Sequence, residues 1–336
     1  MKKREVWVDY LKAIACTLVA LGHFLQSMIK SNLIISNPLF VWFEETIYLF
    51  HVPLFFICSG YIFQQYTCVN SLKSWFSNVK YKLLMLGIPY FTFSFITWIL
   101  KTCFSNAVND HPGSLSESLF LHPLSPYWFL YVLFFIFAIT PTLKNNKHAL
   151  SFLTVSLLLY ALRSNLPINN YLFSRLATYE FYFVLGMLLS FFHISDSKTL
   201  KKYGKTLGVI LLSIFLPLSI LDYLFLSSGF MDFLLCLWIC IALSFIFIYC
   251  DRRNIQFKLL NCISQHSMPI FLMHTIFAAA LRTLLFKLNI TMPAIHIISG
   301  LLISFVGPIT AATIMKKTKF LNFFLYPNIY IKKSDN

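Results

Sequence analysis

Charge is what this sequence has least of. Asp, Glu, Lys and Arg make up 12% of its 336 residues, about half the roughly 25% of a soluble domain. Hydrophobic residues reach 58% and aromatics 18%, with 37 phenylalanines. A water-soluble fold of this length would have to turn much of that apolar surface toward solvent. Lipid is the solvent that fits. The eight cysteines (Cys16, Cys58, Cys68, Cys103, Cys236, Cys240, Cys250 and Cys262) form no CxxC pair and mostly lie in apolar runs. That argues against zinc or redox use and for small apolar fillers, so no metal is expected. No small-residue cleavage site follows the apolar run 7–29, which therefore reads as a retained span and not a leader. No internal repeat is visible, which weakens an inverted-repeat transporter reading.

A spanning helix needs about 20 apolar residues. Candidates run over 7–29, 41–64, 84–104, 126–143, 149–165, 171–193, 206–225, 231–250, 266–286 and 294–314. The fifth is short and ends in the turn-rich Ser164-Asn165-Leu166-Pro167. The expected fold is all-α, a polytopic bundle of about ten transmembrane helices with both termini cytoplasmic. Segments 1–6 and 315–336 read as cytoplasmic tails around a membrane domain over 7–314. The loop near 105–125 has room for a re-entrant turn at most.

The net charge of +15 comes from 27 basic against 12 acidic residues. In a soluble protein this would suggest nucleic acid, but here the cations cluster between apolar runs. Lys2, Lys3, Arg4, Lys73, Lys80, Lys82, Lys144, Lys147, Lys198, Lys201, Lys202, Lys205, Arg252, Arg253, Lys258, Lys316, Lys317, Lys319, Lys332 and Lys333 all fall on the side of the N-terminus. The other side keeps Lys30, Lys101, Arg163, Arg175, Arg282 and Lys287. Such asymmetry follows the positive-inside rule. Membrane lipid, and no nucleic acid, is the expected environment.

Ionisable residues inside spans are costly and point to function by default. Asp9 and Lys12 are three apart on the first helix and share a face; they are either functional or a snorkelling interfacial pair. His23, eleven residues past Lys12, lies on the same face roughly 16 Å along the axis. Its ring suits either general-base catalysis or a hydrogen-bonded packing role. The second helix reads Phe50-His51-Val52-Pro53-Leu54-Phe55-Phe56-Ile57-Cys58-Ser59-Gly60-Tyr61, where Pro53 favours a kink and Ser59-Gly60 a close backbone approach. Glu180, His274, Arg282 and His296 complete a set that suggests a polar cavity.

Lys12-x10-His23, with Asp9 three residues earlier, resembles the opening pattern of the acyltransferase-3 family of membrane acyltransferases. Phe50 to Tyr61 is similar to that family's second-helix signature, and Tyr127-Trp128-Phe129-Leu130 to its Trp-Phe-Leu segment. Ser264-Gln265-His266-Ser267 through Ile270 to His274 resembles its late helix. The likeness covers nearly the whole chain in order.

The resemblance implies transfer of an acyl group, most often acetyl from acetyl-CoA, to a hydroxyl of a cell-surface or lipid-linked sugar. It places the chemistry at His23, with Asp9, His51 and Glu180 as supporting candidates. Lys80-Tyr81-Lys82 stands where Arg-x-Arg is usual; with Lys12, Ser59 and Tyr61 it forms the expected donor side, lysine acting as a point charge on CoA phosphates. Trp128, His274 and Arg282 are the expected acceptor side. Members are often fused to an esterase-like domain, so this chain either acts directly or hands its acyl group to a separate extracytoplasmic partner. The alternative is a transporter or proton-coupled permease using the same His, Glu and Lys residues. Composition suggests a bacterial cytoplasmic membrane.

Overall fold

The structure, a computed structural model, describes residues 5–165, 170–226 and 228–331. Lys2, Lys3, Arg4, Leu166, Pro167, Lys332 and Lys333, named above, lie outside these. Among the described residues there are helices and no strands. The long helices are α1 (Val6–Lys30), α2 (Pro38–Tyr66), α3 (Leu72–Cys103), α4 (Trp128–Ile139), α5 (Asn146–Leu162), α6 (Tyr171–Phe191), α7 (Lys198–Leu221), α8 (Gly229–Arg252), α10 (Ser267–Lys287) and α11 (Pro293–Met315). Two short ones, α9 (Lys258–Gln265) and α12 (Lys319–Leu325), have no counterpart among the expected spans. The chain is thus a polytopic helical membrane protein, with eight described helices long and apolar enough to cross a bilayer.

Local chemistry explains the boundaries. Asn37, Asn145, Asn170 and Ser228 each accept a backbone N–H of the first turn that follows them, satisfying donors that a helix start leaves open. Ser71 and Ser74 form a reciprocal capping box. That cap starts α3 at Leu72, well before the expected residue 84, and puts Lys80 and Lys82 on a helix. α4 keeps only 12 residues of the expected 126–143, roughly 18 Å of rise, short of the ~30 Å hydrocarbon core. Pro141 is the reason: it pushes Thr140 out of helical geometry, to φ −103 and ψ 109, as prolines do to the residue before them. α5, at 17 residues, also falls short.

α1 and α2 form the interior, and α7 and α11 the rim. Ile295, Ile298, Leu302 and Val306 of α11 are exposed at helical spacing, a stripe suited to lipid. One end of the bundle is laced by polar contacts. Arg252 reaches Glu5 at 3.3 Å and Asp196 at 3.3 Å, and donates to the Ser195 carbonyl at 3.2 Å and hydroxyl at 3.1 Å. Tyr61 meets the same hydroxyl at 3.2 Å, and the Trp7 indole donates to Glu5 at 2.9 Å.

The tightest contact joins α2 to α6. A Cβ on Gly60 would stand 1.9 Å from the Phe183 carbonyl oxygen, and one on Gly186 1.9 Å from that of Ile57. The close approach expected at Ser59-Gly60 is present, and Gly186 is its partner. At Gly87 an added Cβ meets nothing nearer than a side-chain carbon at 3.6 Å. Gly60→Ala or Gly186→Ala should therefore cost about 1–3 kcal/mol by overpacking, seen as a lower melting temperature in detergent. Gly87→Ala should leave it level or slightly raised.

Candidate active site

The site is assembled from α1, α2, α10 and the loop before α4. His23 stands on α1 with Tyr48 hydroxyl 3.3 Å from its Nδ1 and Ser125 hydroxyl 3.4 Å from its Nε2. Tyr48 and His51 are three apart on α2 and share a face; their rings meet edge-on at 4.8 Å. The His274 ring of α10 lies 5.5 Å from that of His23. Three histidines thus come together from three segments far apart in sequence.

Backbone carbonyls decide the proton positions on two of these rings, because a carbonyl only accepts. His51 Nδ1 donates to Ile47 at 2.7 Å, and His274 Nδ1 to Ile270 and Phe271 at 2.8 and 3.0 Å. In the neutral rings each Nε2 then keeps a lone pair. That of His274 is buried and has no hydrogen-bond partner among the described residues. His23 differs, since both its neighbours are hydroxyls that donate or accept. Either neutral tautomer is satisfied, so one nitrogen can take a proton while the other gives one up.

A cavity of about 420 Å³ opens above this cluster, lined by His23, Ser125 and His274 and, farther from the bundle centre, by Lys30, Lys101 and Arg282. The connection between α3 and α4 supplies part of its wall. Asn109 donates to the Ser27 carbonyl at 3.3 Å, and Lys30 binds Asp110 at 2.8 Å. Arg282 donates to the Ser27 carbonyl at 3.3 Å and also to its hydroxyl. Tyr127 ties the wall to its neighbours through Thr97 at 2.7 Å and the Leu272 carbonyl at 2.9 Å.

Other expected site residues lie elsewhere. Glu180 accepts from Thr140 at 2.6 Å, beyond the opposite end of α4 from Ser125, roughly 18 Å along that helix. Trp128 stacks under Arg175 at 4.7 Å and beside Tyr179 at 5.4 Å. Lys82 lies over the Phe137 ring at 3.8 Å whereas Lys80 is exposed, because residues two apart on a helix face different ways. Asp9 and Lys12 are half-buried at the α1 end away from the cavity. Ser59 is half-buried beside Gly60, and Tyr61 belongs to the Arg252 network. His296 Nε2 donates to the Ile290 carbonyl at 2.8 Å, a bond that closes the turn before α11. Tyr48, Ser125, Lys30, Lys101 and Asp110 were not singled out from sequence. Tyr48 had a signal in its spacing from His51, while Ser125 had none.

Apolar helices around a buried histidine cluster define a membrane protein with an enclosed polar site. The acyltransferase domain family matches residues 5–313. Nodulation protein NolL of Mesorhizobium japonicum is 28% identical over 197 residues, covering 56% of this chain and 48% of that protein. NolL of Sinorhizobium fredii is 41% identical over 59 residues, 18% of this chain and 16% of that protein. The matches thus span about half or less of these relatives' lengths. No solved structure matches. The chain belongs to the acyltransferase-3 family of membrane acyltransferases.

The loop that walls the cavity has its own titration. The hydrogen bond from Lys30 holds the Asp110 carboxyl below its usual range, against a smaller opposing effect of burial. A depressed folded pKa gives stability that is present above the unfolded value of about 3.9 and is lost as pH falls through the folded value. Asp110→Asn should therefore lower the melting temperature slightly at neutral pH, with the two curves converging below about pH 4 in a pH series of thermal melts.

Proposed function

We propose that this chain transfers an acyl group, acetyl first among them, from cytoplasmic acyl-CoA to a hydroxyl of a cell-surface polysaccharide or lipid-linked sugar, in a bacterial cytoplasmic membrane. The observation that carries this reading is His23, held between two hydroxyls and beside His274 at the floor of a cavity.

In this reading a neutral His23 accepts the proton of the acceptor hydroxyl as that oxygen attacks the thioester carbonyl. The new C–O bond forms, the C–S bond breaks, and the proton passes from His23 to the departing thiolate. The products are the O-acyl sugar and free CoA. Tyr48 holds the His23 ring, and His51 packs against Tyr48 from below. His274, with its bare Nε2, receives a hydrogen bond from the acceptor. Asp9, Lys12, Ser59, Tyr61, Lys80 and Lys82 lie on the side from which the donor would enter, and Trp128 and Arg282 on the acceptor side. Glu180, bonded to Thr140, supports the α4–α6 contact instead of the ring.

The test is thiol release from acetyl-CoA by purified protein in liposomes with a panel of sugar acceptors. His23→Ala should lower kcat by about 10²–10⁴-fold, the usual weight of a general base. Tyr48→Phe, which leaves the ring in place but removes its hydroxyl contact, should cost about tenfold. Turnover that survives His23→Ala would move the chemistry to His274 or His51. Solute movement without any consumption of acyl-CoA would favour a permease.

A further inference from the structure

The neutral His274 ring poses a proton count that the chemistry at His23 does not close. Its Nδ1–H is committed to the Ile270 and Phe271 carbonyls at 2.8 and 3.0 Å, so its Nε2 can only accept. That nitrogen is buried with no hydrogen-bond partner among the described residues, in a residue that is 1% exposed. A buried acceptor without a donor is destabilising, and in a folded protein such a group asks for a reason. His274 lines the cavity together with His23, their rings 5.5 Å apart and tilted by 31°.

The protons near this nitrogen are already engaged. Tyr127 donates to the Leu272 carbonyl at 2.9 Å, and Ser304 to the Gly300 carbonyl at 2.7 Å. The nitrogens of His23 face the Tyr48 and Ser125 hydroxyls, and in the reaction one of them takes a proton while the other keeps its own. The attacking hydroxyl does not serve His274 either, because it carries a single proton and that proton goes to His23. Packing alone does not explain the residue: a phenyl ring would fill the same space without stranding a lone pair.

We infer that the acceptor carries a second hydrogen-bond donor on the carbon next to the acylated one, and that this donor binds His274 Nε2. The substrate class is thus a sugar whose reacting hydroxyl stands beside a free hydroxyl or an acetamido N–H. Rings 5.5 Å apart suit two donors on adjacent carbons better than donors on opposite sides of a pyranose. The neighbouring donor selects which hydroxyl meets His23. A hydroxyl flanked by a hydrogen or a methyl ether leaves Nε2 stranded, and a site built around a polar contact discriminates chiefly through the group left unpaired. The place of the reacting hydroxyl at His23 rests on the function proposed above; the need for a donor at His274 rests on that ring's own bonds. A hydroxyl and an acetamido N–H each offer one proton here, and the two are separated by experiment.

The test uses the full chain in nanodiscs with acetyl-CoA and simple methyl pyranosides. Once the acetylated position is located by NMR, the hydroxyl on each adjacent carbon is replaced in turn by hydrogen, methoxy and acetamido. At one adjacent carbon, hydrogen and methoxy should each lower kcat/KM by about tenfold or more. Whichever of hydroxyl and acetamido is the better substrate there names the donor. His274→Phe should bring the ratio of intact to deoxy sugar close to one, whereas His274→Gln, whose amide oxygen accepts, should preserve it. Deoxy sugars turned over as well as the intact one at every adjacent carbon would overturn the inference and leave Nε2 to a water. So would a ratio that stays undiminished in His274→Phe. The sugar analogues read the contact on the wild type even where that variant fails to fold. Melting without acetyl-CoA keeps the two readings apart, since the intact sugar should stabilise the protein more than its deoxy analogue whether or not acyl transfer occurs. Transfer without that difference defeats the His274 contact alone, and the difference without transfer defeats the acyltransferase reading alone.

Discussion

Hydrocarbon offers no water to a ring nitrogen or an ammonium group, so the polar side chains of this bundle are held by partners on their own helix or on a neighbouring segment. That constraint organises the molecule more than any single apolar contact does. It gathers His23, Tyr48, His51 and His274 into one cluster and collects Glu5, Trp7, Tyr61, Ser195 and Arg252 into another at the far end of α1 and α2. The same two helices carry both clusters. Their relative register is therefore read out twice, once at each end.

The glycine contact between α2 and α6 makes this register rigid. With Gly60 against Phe183 and Gly186 against Ile57, backbone touches backbone, and a helix so placed cannot slide by a fraction of a turn without a clash. Tyr48 and His51 sit two to three turns along α2 from this lock. A shift there would move the Tyr48 hydroxyl away from His23, and a positioned base loses much of its effect with a displacement of about 1 Å. Packing between apolar helices is thus coupled to the geometry of the site.

Much of the architecture was legible from hydropathy, since lipid demands long apolar helices and the chain has few other options. His23, His51 and His274 were legible as candidates too, because an imidazole in a span needs partners, although His296 has a structural role at the turn before α11. What sequence did not reveal was partnership. Tyr48 is one aromatic among many, marked only by its three-residue spacing from His51, and Ser125 reads as a loop serine. Glu180 looked like a companion to the histidines because it is acidic and buried, yet depth along α6 puts it beside Thr140 instead. The α4 boundary failed for a local reason, Pro141 stopping a helix that composition alone would continue. Lys80 and Lys82 were read as a pair, and helical geometry separates them.

The charge asymmetry was read in sequence as a guide to orientation, with Lys12, Lys80, Lys82 and Arg282 also taken as candidate binding residues. Cations within or beside apolar helices are costly, so each needs a reason to be there. Arg163 has one in the Tyr160 ring, 3.8 Å away, and Arg175 in Trp128 and Tyr171. Lys30, Lys101 and Arg282 line one cavity, where Lys30 pairs with Asp110 and Arg282 donates to the Ser27 carbonyl. A surface that had merely tolerated stray cations would scatter them around the rim. Their convergence from three helices onto one opening beside the histidines is a product of the fold, which sequence spacing alone does not show.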